Sequence, residues 1–426
     1  MILLDESSSS AAHADPVAAV VLFLAVILVA AKLGGDLAVR LGQPAVLGEL
    51  LVGILIGNLP LLGVHLFEPI RHDASIDMLS RLGVIVLLFE VGLESTVAQM
   101  LRVGWSSLLV AVIGVVFPFA LGWGASAWLL PHESEYVHAF IGATLTATSV
   151  GITARVLKDL GKSQTGESRI ILGAAVIDDV LGLLILAVVA GIINAADRGV
   201  DLSYGAFGLI LGKAVLFLVG SLVLGRFVSR RLFVLASRLQ ARGVLLATGL
   251  SFCFLLSFLA SVVGLAPIVG AFSAGLILED VHYKEFKTSE PHSLEELVHP
   301  ISSFLVPVFF VLMGMRVDLT SFAQPGVLGL AAAITVMAII GKQFAGLGVI
   351  TRGVDRITVG IGMVPRGEVG LIFANIGLTL VVAGEKIVTP STFSAVVVMV
   401  VCTTLVTPPL LRWRFGQLAR RGGNSP

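Results

Sequence analysis

The chain has 426 residues, of which 56% are hydrophobic and only 13% are charged, and its formal net charge is zero. Water-soluble domains average roughly 25% charged residues, so this composition indicates a polytopic helical membrane protein surrounded by a lipid bilayer. The balanced charge and the lack of a basic block argue against a nucleic-acid partner. The two cysteines, Cys253 and Cys402, stand apart in apolar stretches and predict neither a disulfide framework nor a metal cluster.

Thirteen apolar segments predict an all-α membrane unit over residues 17–411. A short acidic N-terminal segment, 1–16, precedes it and lacks the basic stretch of a cleaved signal peptide, and a short tail, 412–426, follows. The count depends on 261–267, where two short segments meet at a tight turn. The predicted segments are 17–39, 44–63, 77–95, 103–130, 136–158, 167–194, 204–236, 243–263, 265–280, 299–316, 325–351, 355–382 and 391–411.

Lysine and arginine predict the orientation of these segments. With the N-terminus outside, the cytoplasmic loops carry 19 of the 28 Lys and Arg residues and the outer loops carry 5. Cytoplasmic loops are enriched in these cations, so the asymmetry favours an outer N-terminus, a cytoplasmic C-terminus and an odd number of segments. The remaining four cations lie within apolar segments: Lys32, Lys213, Lys342 and Arg366.

An internal repeat emerges when the chain is compared with itself at an offset of 222 residues. Gly48–Gly53 aligns with Gly270–Gly275 (270 − 48 = 222), Gly92 aligns with Gly314, and Gly104 aligns with Gly326. The offset spans seven predicted segments, an odd number, so the two copies run in opposite directions. We therefore predict inverted repeats over 17–194 and 243–411 joined by a linker helix, 204–236, an architecture typical of secondary transporters.

Two segments are predicted to be broken helices. The same offset aligns 143–151 with 365–373 and pairs Thr146 with Glu368. The first run is rich in Thr, Ser and Gly, and the second contains Pro-Arg-Gly-Glu inside an apolar stretch. Proline removes a backbone donor and glycine loosens a helix, so both runs are expected to be discontinuous and to line a cavity. The Thr146 hydroxyl and the Glu368 carboxylate could satisfy or neutralise the half-helix ends.

Two adjacent acids, Asp178 and Asp179, interrupt the apolar run Gly173–Gly191. Ionised acids in such surroundings are costly unless a partner, an ion or water compensates them, so they are candidate functional residues. The alternative is a buried polar pair in which the two acids satisfy each other. Lys342 lies within another segment and is the expected partner of one acid, either as a proton-exchanging group or as a static ion pair that fixes helix packing.

The other charges inside or near the segments are expected to play supporting roles. Arg366 and Glu368 could pair with each other or across the crossing of the broken helices. Glu90 and Glu94 could lie at the cytoplasmic end of the third segment or in an ion path. The loop 279–299 is expected to be a solvated cytoplasmic connection, with pH sensing as the alternative role of its three histidines, His282, His292 and His299.

Four motifs together resemble the monovalent cation:proton antiporter-2 family, and within it the NapA/GerN-type bacterial sodium/proton antiporters. They are ATLTATSVGITARVL, GAAVIDDVLGLLIL, the GKQ of the eleventh segment and GMVPRGEVGLI. The resemblance covers nearly the whole membrane region. It implies an NhaA/NapA-like fold of thirteen helices, two of them discontinuous and crossing, and a homodimer in a bacterial inner membrane. It also implies a core domain, including 77–194 and 299–411, that moves against a dimerisation domain formed by the remaining helices.

The resemblance further implies a role for each candidate residue. Asp179 would be the carboxylate that binds Na+. Asp178, the first acid of the pair and also part of the ion site, would form a salt bridge with Lys342 that breaks when the cation binds. The residues implied at the crossover of the broken helices are Thr146 and Glu368, with Thr148 and Ser149 close by.

These observations predict a transporter, without a cofactor, that exchanges Na+ or Li+ for protons by alternating access. Two acids and a titratable lysine would permit more than one proton per cation, so transport is predicted to be electrogenic. The alternatives are a potassium/proton antiporter of the same family and a sodium-coupled organic-anion symporter. An intramembrane aspartyl protease is disfavoured because its acids lie on different helices, whereas Asp178 and Asp179 are adjacent.

Overall fold

The structure, a computed structural model, describes residues 16–94, 104–162, 164–198, 204–239, 241–279, 293–324 and 326–422. Apart from one two-stranded hairpin, Val381–Val382 with Glu385–Lys386, its regular structure is helical. The α-helices are α1 (Pro16–Arg40), α2 (Ala45–Gly57), α3 (Glu68–His72), α4 (Ala74–Glu94), α5 (Trp105–Leu129), α6 (Glu135–Thr144), α7 (Val150–Asp159), α8 (Gly166–Asp197), α9 (Tyr204–Ala236), α10 (Val244–Val263), α11 (Pro267–Glu279), α12 (Leu294–Met315), α13 (Val327–Ala345), α14 (Arg356–Gly362), α15 (Glu368–Gly377) and α16 (Pro390–Gly422).

The described helices account for thirteen membrane segments. Eight (α1, α5, α8, α9, α10, α12, α13 and α16) are long and apolar enough to cross a bilayer. The shorter apolar helices α2 and α11 and the more polar α4 add three. The pairs α6–α7 and α14–α15 add two more, each an interrupted helix. Each of the thirteen predicted segments therefore corresponds to a helix or an interrupted helix among the described residues, and the predicted turn at 261–267 separates α10 from α11.

Both predicted breaks are present. The first helix is interrupted between Thr144 and Val150, and the second between Gly362 and Glu368. Two predicted boundaries differ from the structure. The connection predicted over 279–299 already contains α12 from Leu294, where Ser293 forms a capping box with Glu296. The tail predicted from 412 continues α16 as far as Gly422.

The 222-residue repeat is visible in the helix packing. A Cβ atom on Gly53 of α2 would lie 3.0 Å from Cα of Gly314 on α12, and one on Gly92 of α4 would lie 2.9 Å from Cα of Gly275 on α11. The offset converts the first pair into the second, since 53 + 222 = 275 and 92 + 222 = 314. Only glycine permits such backbone approach, so these glycines define where the copies pack on each other.

The helices form two packing groups. The first group contains α1, α2, α4, α10, α11 and α12, and the second contains α5–α8 and α13–α16. Helix α9 packs on α8 from the second group and on α10 and α11 from the first. Residues 77–94 and 299–315 were predicted to belong to a moving core, whereas α4 and α12 pack mainly on the first group. Which helices move together stays a prediction.

An ion pair fastens one end of the second group. Asp355 caps α14 by accepting the Thr358 amide at 2.9 Å, and both of its oxygens accept hydrogen bonds from Arg414 of α16, at 2.9 and 2.7 Å. The Arg414 guanidinium lowers the pKa of Asp355 to about 2. The Asp355 carboxylate therefore stabilises the fold fully at any pH above its pKa in the unfolded chain. This stabilisation is lost only as the pH falls through the lowered pKa of about 2. The Asp355–Arg414 ion pair is therefore fully formed at physiological pH.

The glycine contacts give a direct test of the packing. We expect Gly92→Leu to destabilise the protein by about 1–3 kcal/mol or more, because its side chain would collide with the backbone of α11. The control is Gly329→Leu on α13, whose added Cβ would meet nothing within 4 Å. Thermal unfolding in detergent measures both. Equal midpoints for the two variants would contradict the packing described.

Candidate functional site

The two acids lie in the middle of α8, away from water. Asp178 is 0% exposed and Asp179 is 8% exposed. Adjacent helical residues point about 100° apart, so the two carboxylates face different neighbours. Helix α8 begins where the Thr165 hydroxyl accepts the Ser168 amide at 3.3 Å. Its largely apolar sequence then carries the acids deep into the second packing group.

Lys342 on α13 is the partner of Asp178. Its Nζ atom lies 2.8 Å from Asp178 Oδ1, and neither side chain has any exposed surface. The second oxygen, Asp178 Oδ2, is buried without a hydrogen-bond partner among the described residues. Removing one member of a buried pair leaves an uncompensated charge, which typically costs 3–5 kcal/mol. The structure thus brings together the two residues that the charge pattern paired.

Small residues on α5 make room for the lysine. A Cβ atom on Gly114 would lie 3.6 Å from Lys342 Nζ, and one on Gly341 would lie 2.8 Å from Cα of Pro118. Gly114 and Pro118 were not predicted from the sequence. They matter because α5 packs closely on α13, and a single sequence does not reveal which helices pack together.

The two broken helices meet at their breaks. The Ser149 amide donates to the Pro365 carbonyl at 2.9 Å, and the Thr148 hydroxyl makes a weaker contact, 3.4 Å, with the Met363 carbonyl. A Cβ atom on Gly367 would lie 2.6 Å from Ser149 Oγ, so this crossing requires glycine. The Thr146 hydroxyl donates to the Ala143 carbonyl at 2.8 Å and satisfies the open end of its own half-helix, as expected.

Arg366 is fully buried at the same crossing. Its Nη2 atom donates to the Leu145 carbonyl at 2.5 Å and lies 3.5 Å from the Ala338 carbonyl of α13. Its backbone is held by α16, where Thr403 accepts from its amide and Thr404 donates to its carbonyl. Neither threonine was predicted, because hydroxyls on a long apolar helix usually bond to their own backbone. The guanidinium compensates the negative, C-terminal end of the half-helix α6. The sequence had predicted a carboxylate, Glu368, as the charge that compensates a half-helix end at the other break.

Glu368 begins α15, but its side chain lies outside the described part of the structure. Its predicted pairing with Arg366 therefore stays a prediction. His282 and His292 also lie outside the described residues.

The remaining predicted charges lie apart from the two aspartates, in the first packing group. Glu90 of α4 is bonded to His299 Nδ1 at 2.9 Å and to the Ser302 hydroxyl, both on α12. Glu94 is the last residue of α4. The Glu90 contact joins α4 to α12 where the first helix ends and the second begins, so it favours the helix-end role over the ion path.

A cavity of about 380 Å³ separates the two packing groups at the end of α8 that was predicted to lie outside. Arg81, Ala190 and Asn375 are among its lining residues. Phe373, on the same helix as Asn375, is fully buried 3.8 Å from where a Cβ of Gly182 would lie, one helical turn beyond Asp178. The lining residue on α8 nearest to the acids in sequence, Ala190, follows Asp179 by about three helical turns, and the Phe373 ring packs α15 against α8 closer to the acids.

The site combines carboxylate, hydroxyl and carbonyl oxygens with two buried cations. Oxygen ligands suit hard cations, and the described residues contain no group of three or more His, Cys, Asp or Glu side chains that could hold a metal ion. Carboxylates can take up a hard cation or a proton, so the two acids offer groups for either.

The buried pair predicts a large effect on stability. We expect Asp178→Asn to destabilise the protein by about 3–5 kcal/mol because it leaves Lys342 charged and unpaired. The matched control is Asp36→Asn, which breaks the exposed Asp36–Arg40 pair of 2.7 Å and should cost less than about 1 kcal/mol. Unfolding in detergent compares them, and equal losses would show that the buried pair has no special weight.

Comparisons with known proteins identify relatives over nearly the whole chain. A family model described as sodium/hydrogen exchanger, transmembrane, matches residues 19–413. The high-affinity Na+/H+ antiporter NhaS3 of Synechocystis sp. is 38% identical over 93% of this chain and 89% of its own. The Na+/H+-K+ antiporter GerN of Bacillus cereus is 35% identical over 92% of this chain and 95% of its own.

A solved structure has the same fold. The sodium proton antiporter MjNhaP1 of Methanocaldococcus jannaschii superposes with a TM-score of 0.68, covering 95% of this chain and 98% of that chain. Only 16% of the residues are identical, so this likeness concerns the fold alone. It confirms the predicted NhaA/NapA-like architecture.

Proposed function

Because the chain belongs to the sodium/hydrogen exchanger family, we propose that it exchanges a monovalent cation, most readily Na+, for protons by alternating access. The observation that carries the proposal is the buried Asp178–Lys342 pair beside Asp179, in the group of helices that contains both breaks. Structural ion pairs also occur in transporter cores, but here an adjacent second acid retains some exposed surface. The relatives named above are antiporters, so a transporter role is favoured over an enzyme.

The exchange follows from competition for carboxylates. Asp178 is held by Lys342 and has no exposed surface, whereas Asp179 is 8% exposed and is therefore the acid proposed to meet the cation or the proton. A cation that takes the place of the lysine on Asp178 Oδ1 would release Lys342. Cation and proton exclude each other at these carboxylates, so each half of the transport cycle carries one or the other.

Na+ is the favoured substrate, with Li+ as a related one and K+ as the alternative. NhaS3 is named for Na+/H+ exchange, whereas the name of GerN also includes K+. The two relatives are similar to this chain in identity and coverage, so their names do not separate Na+ from K+. The size of the coordination site around the bound ion makes that choice. A resident cofactor is not required, because the transported ions are the only species that the carboxylates need to bind.

Alternating access is proposed to move the second packing group, which holds both acids and both breaks, against the first. Helix α9 contacts both groups and connects them in sequence. The exposed apolar faces of α1, α2 and α10 meet lipid or a second copy in a homodimer. The proposed location is a bacterial inner membrane, with the N-terminus outside and the C-terminus in the cytoplasm, as the distribution of Lys and Arg favours.

The first test measures exchange directly. Purified protein is reconstituted into liposomes with a proton gradient and a pH-sensitive dye, and Na+, Li+ or K+ is added. We expect Na+ to collapse the gradient in the wild type and in the control Asp36→Asn, and Asp179→Asn to lose at least tenfold in rate. Asp36 is an exposed acid paired with Arg40, outside the site. Wild-type rates in Asp179→Asn would remove Asp179 from the mechanism.

A second test concerns charge movement. Two acids and a lysine can exchange more than one proton per cation, so an imposed membrane potential should accelerate or slow Na+-driven proton flux according to its sign. The same liposomes, clamped with a potassium gradient and a K+ ionophore, measure this with Na+ as the added cation. Rates that ignore the potential would show electroneutral exchange.

A further inference from the structure

Arg366 has more hydrogen-bond donors than partners. A guanidinium offers five N–H donors, yet only Nη2 bonds to a described residue, the Leu145 carbonyl, with Ala338 at the limit of contact. Nε and Nη1 are buried without partners among the described residues. A buried charged donor without an acceptor is costly, so these two nitrogens call for an explanation.

Asp178 presents the complementary gap. Lys342 occupies Oδ1, and Oδ2 is buried without a partner among the described residues. Arg366 Nη2 lies 3.5 Å from the Ala338 carbonyl, one helical turn before the lysine that holds Asp178, so the guanidinium borders this ion pair. An unpaired acceptor and two unpaired donors of opposite charge thus belong to one buried cluster.

We propose that Arg366 is the second partner of Asp178: Nε or Nη1 donates a hydrogen bond to Oδ2 when Lys342 leaves Oδ1. The moment at which the lysine leaves rests on the proposed function, whereas the pairing itself is a property of the fold. Arg366 is a positioning residue in this scheme. It keeps Asp178 compensated throughout the cycle, so that the lysine can be released without leaving a bare buried charge.

The anchoring of Arg366 suits such a transfer. Its backbone is fixed between Thr403 and Thr404, and Nη2 stays on the Leu145 carbonyl. The guanidinium can therefore add a bond through Nε or Nη1 without giving up the bond that it has. The Ala338 carbonyl lies one turn before Lys342 on α13, so the same side chain borders the helix from which the lysine departs.

The direct test is an experimental structure of Lys342→Met, whose side chain is unbranched and apolar. We expect Arg366 Nε or Nη1 within 3.2 Å of Asp178 Oδ2 in this variant. An Arg366 that stays away from Asp178, with water alone on Oδ2, would overturn the proposal. Because this measurement needs no transport, its failure is distinct from failure of the proposed function.

A mutant cycle tests the same pairing in solution. The unfolding constants of Lys342→Met, Arg366→Gln and the double variant are compared in detergent. We expect the double variant to lose at least tenfold more than the product of the single losses, because only then does Asp178 lack both partners. Losses that multiply would contradict the proposal.

Direct repulsion between Lys342 and Arg366 would also make the losses non-multiplicative, with the same sign. Repeating the cycle with Asp178→Asn separates the two causes. Repulsion survives that change, whereas coupling through the shared carboxylate should fall by at least half. Coupling that persists in full would assign the effect to repulsion and overturn the proposal.

Discussion

The site depends on one interaction, the fully buried ion pair between Lys342 and Asp178, whose charged atoms lie 2.8 Å apart. Two ions without exposed surface stabilise a fold only if their geometry and their remaining hydrogen bonds compensate for lost hydration. Here that compensation is incomplete, since Asp178 Oδ2 and two Arg366 nitrogens have no described partner. The hydrogen bonds and ion pairs of such a cluster can exchange partners, as a site that binds and releases ions requires.

The surrounding fold supplies a rigid frame for this cluster. Glycine contacts related by the 222-residue offset fix α2 on α12 and α4 on α11, and the Asp355–Arg414 pair fastens α14 to α16. The breaks concentrate unpaired backbone groups at one crossing, where Ser149, Thr146 and Arg366 satisfy them. Rigid helices thus hold a small polar centre whose own bonds can exchange.

The sequence was informative wherever a residue type is rare in its surroundings. Acids in an apolar run, a lysine within a segment and proline beside glycine led to Asp178, Lys342 and both breaks. The repeat was visible because close helix contacts require glycine at fixed positions. Gly114, Thr403 and the Leu145 carbonyl could not be predicted, because small residues and backbone atoms have no distinctive pattern until their neighbours are known. The grouping of α4 and α12 likewise depends on packing rather than on composition.

In the proposed mechanism, cation and proton compete for the same carboxylates. Proton release on adding Na+ to purified protein in weak buffer tests this competition, with Na+ binding followed by calorimetry in the same samples. We expect binding to release protons from the wild type, and Asp179→Asn to lose both binding and release. Tight Na+ binding without any proton release by the wild type would contradict it.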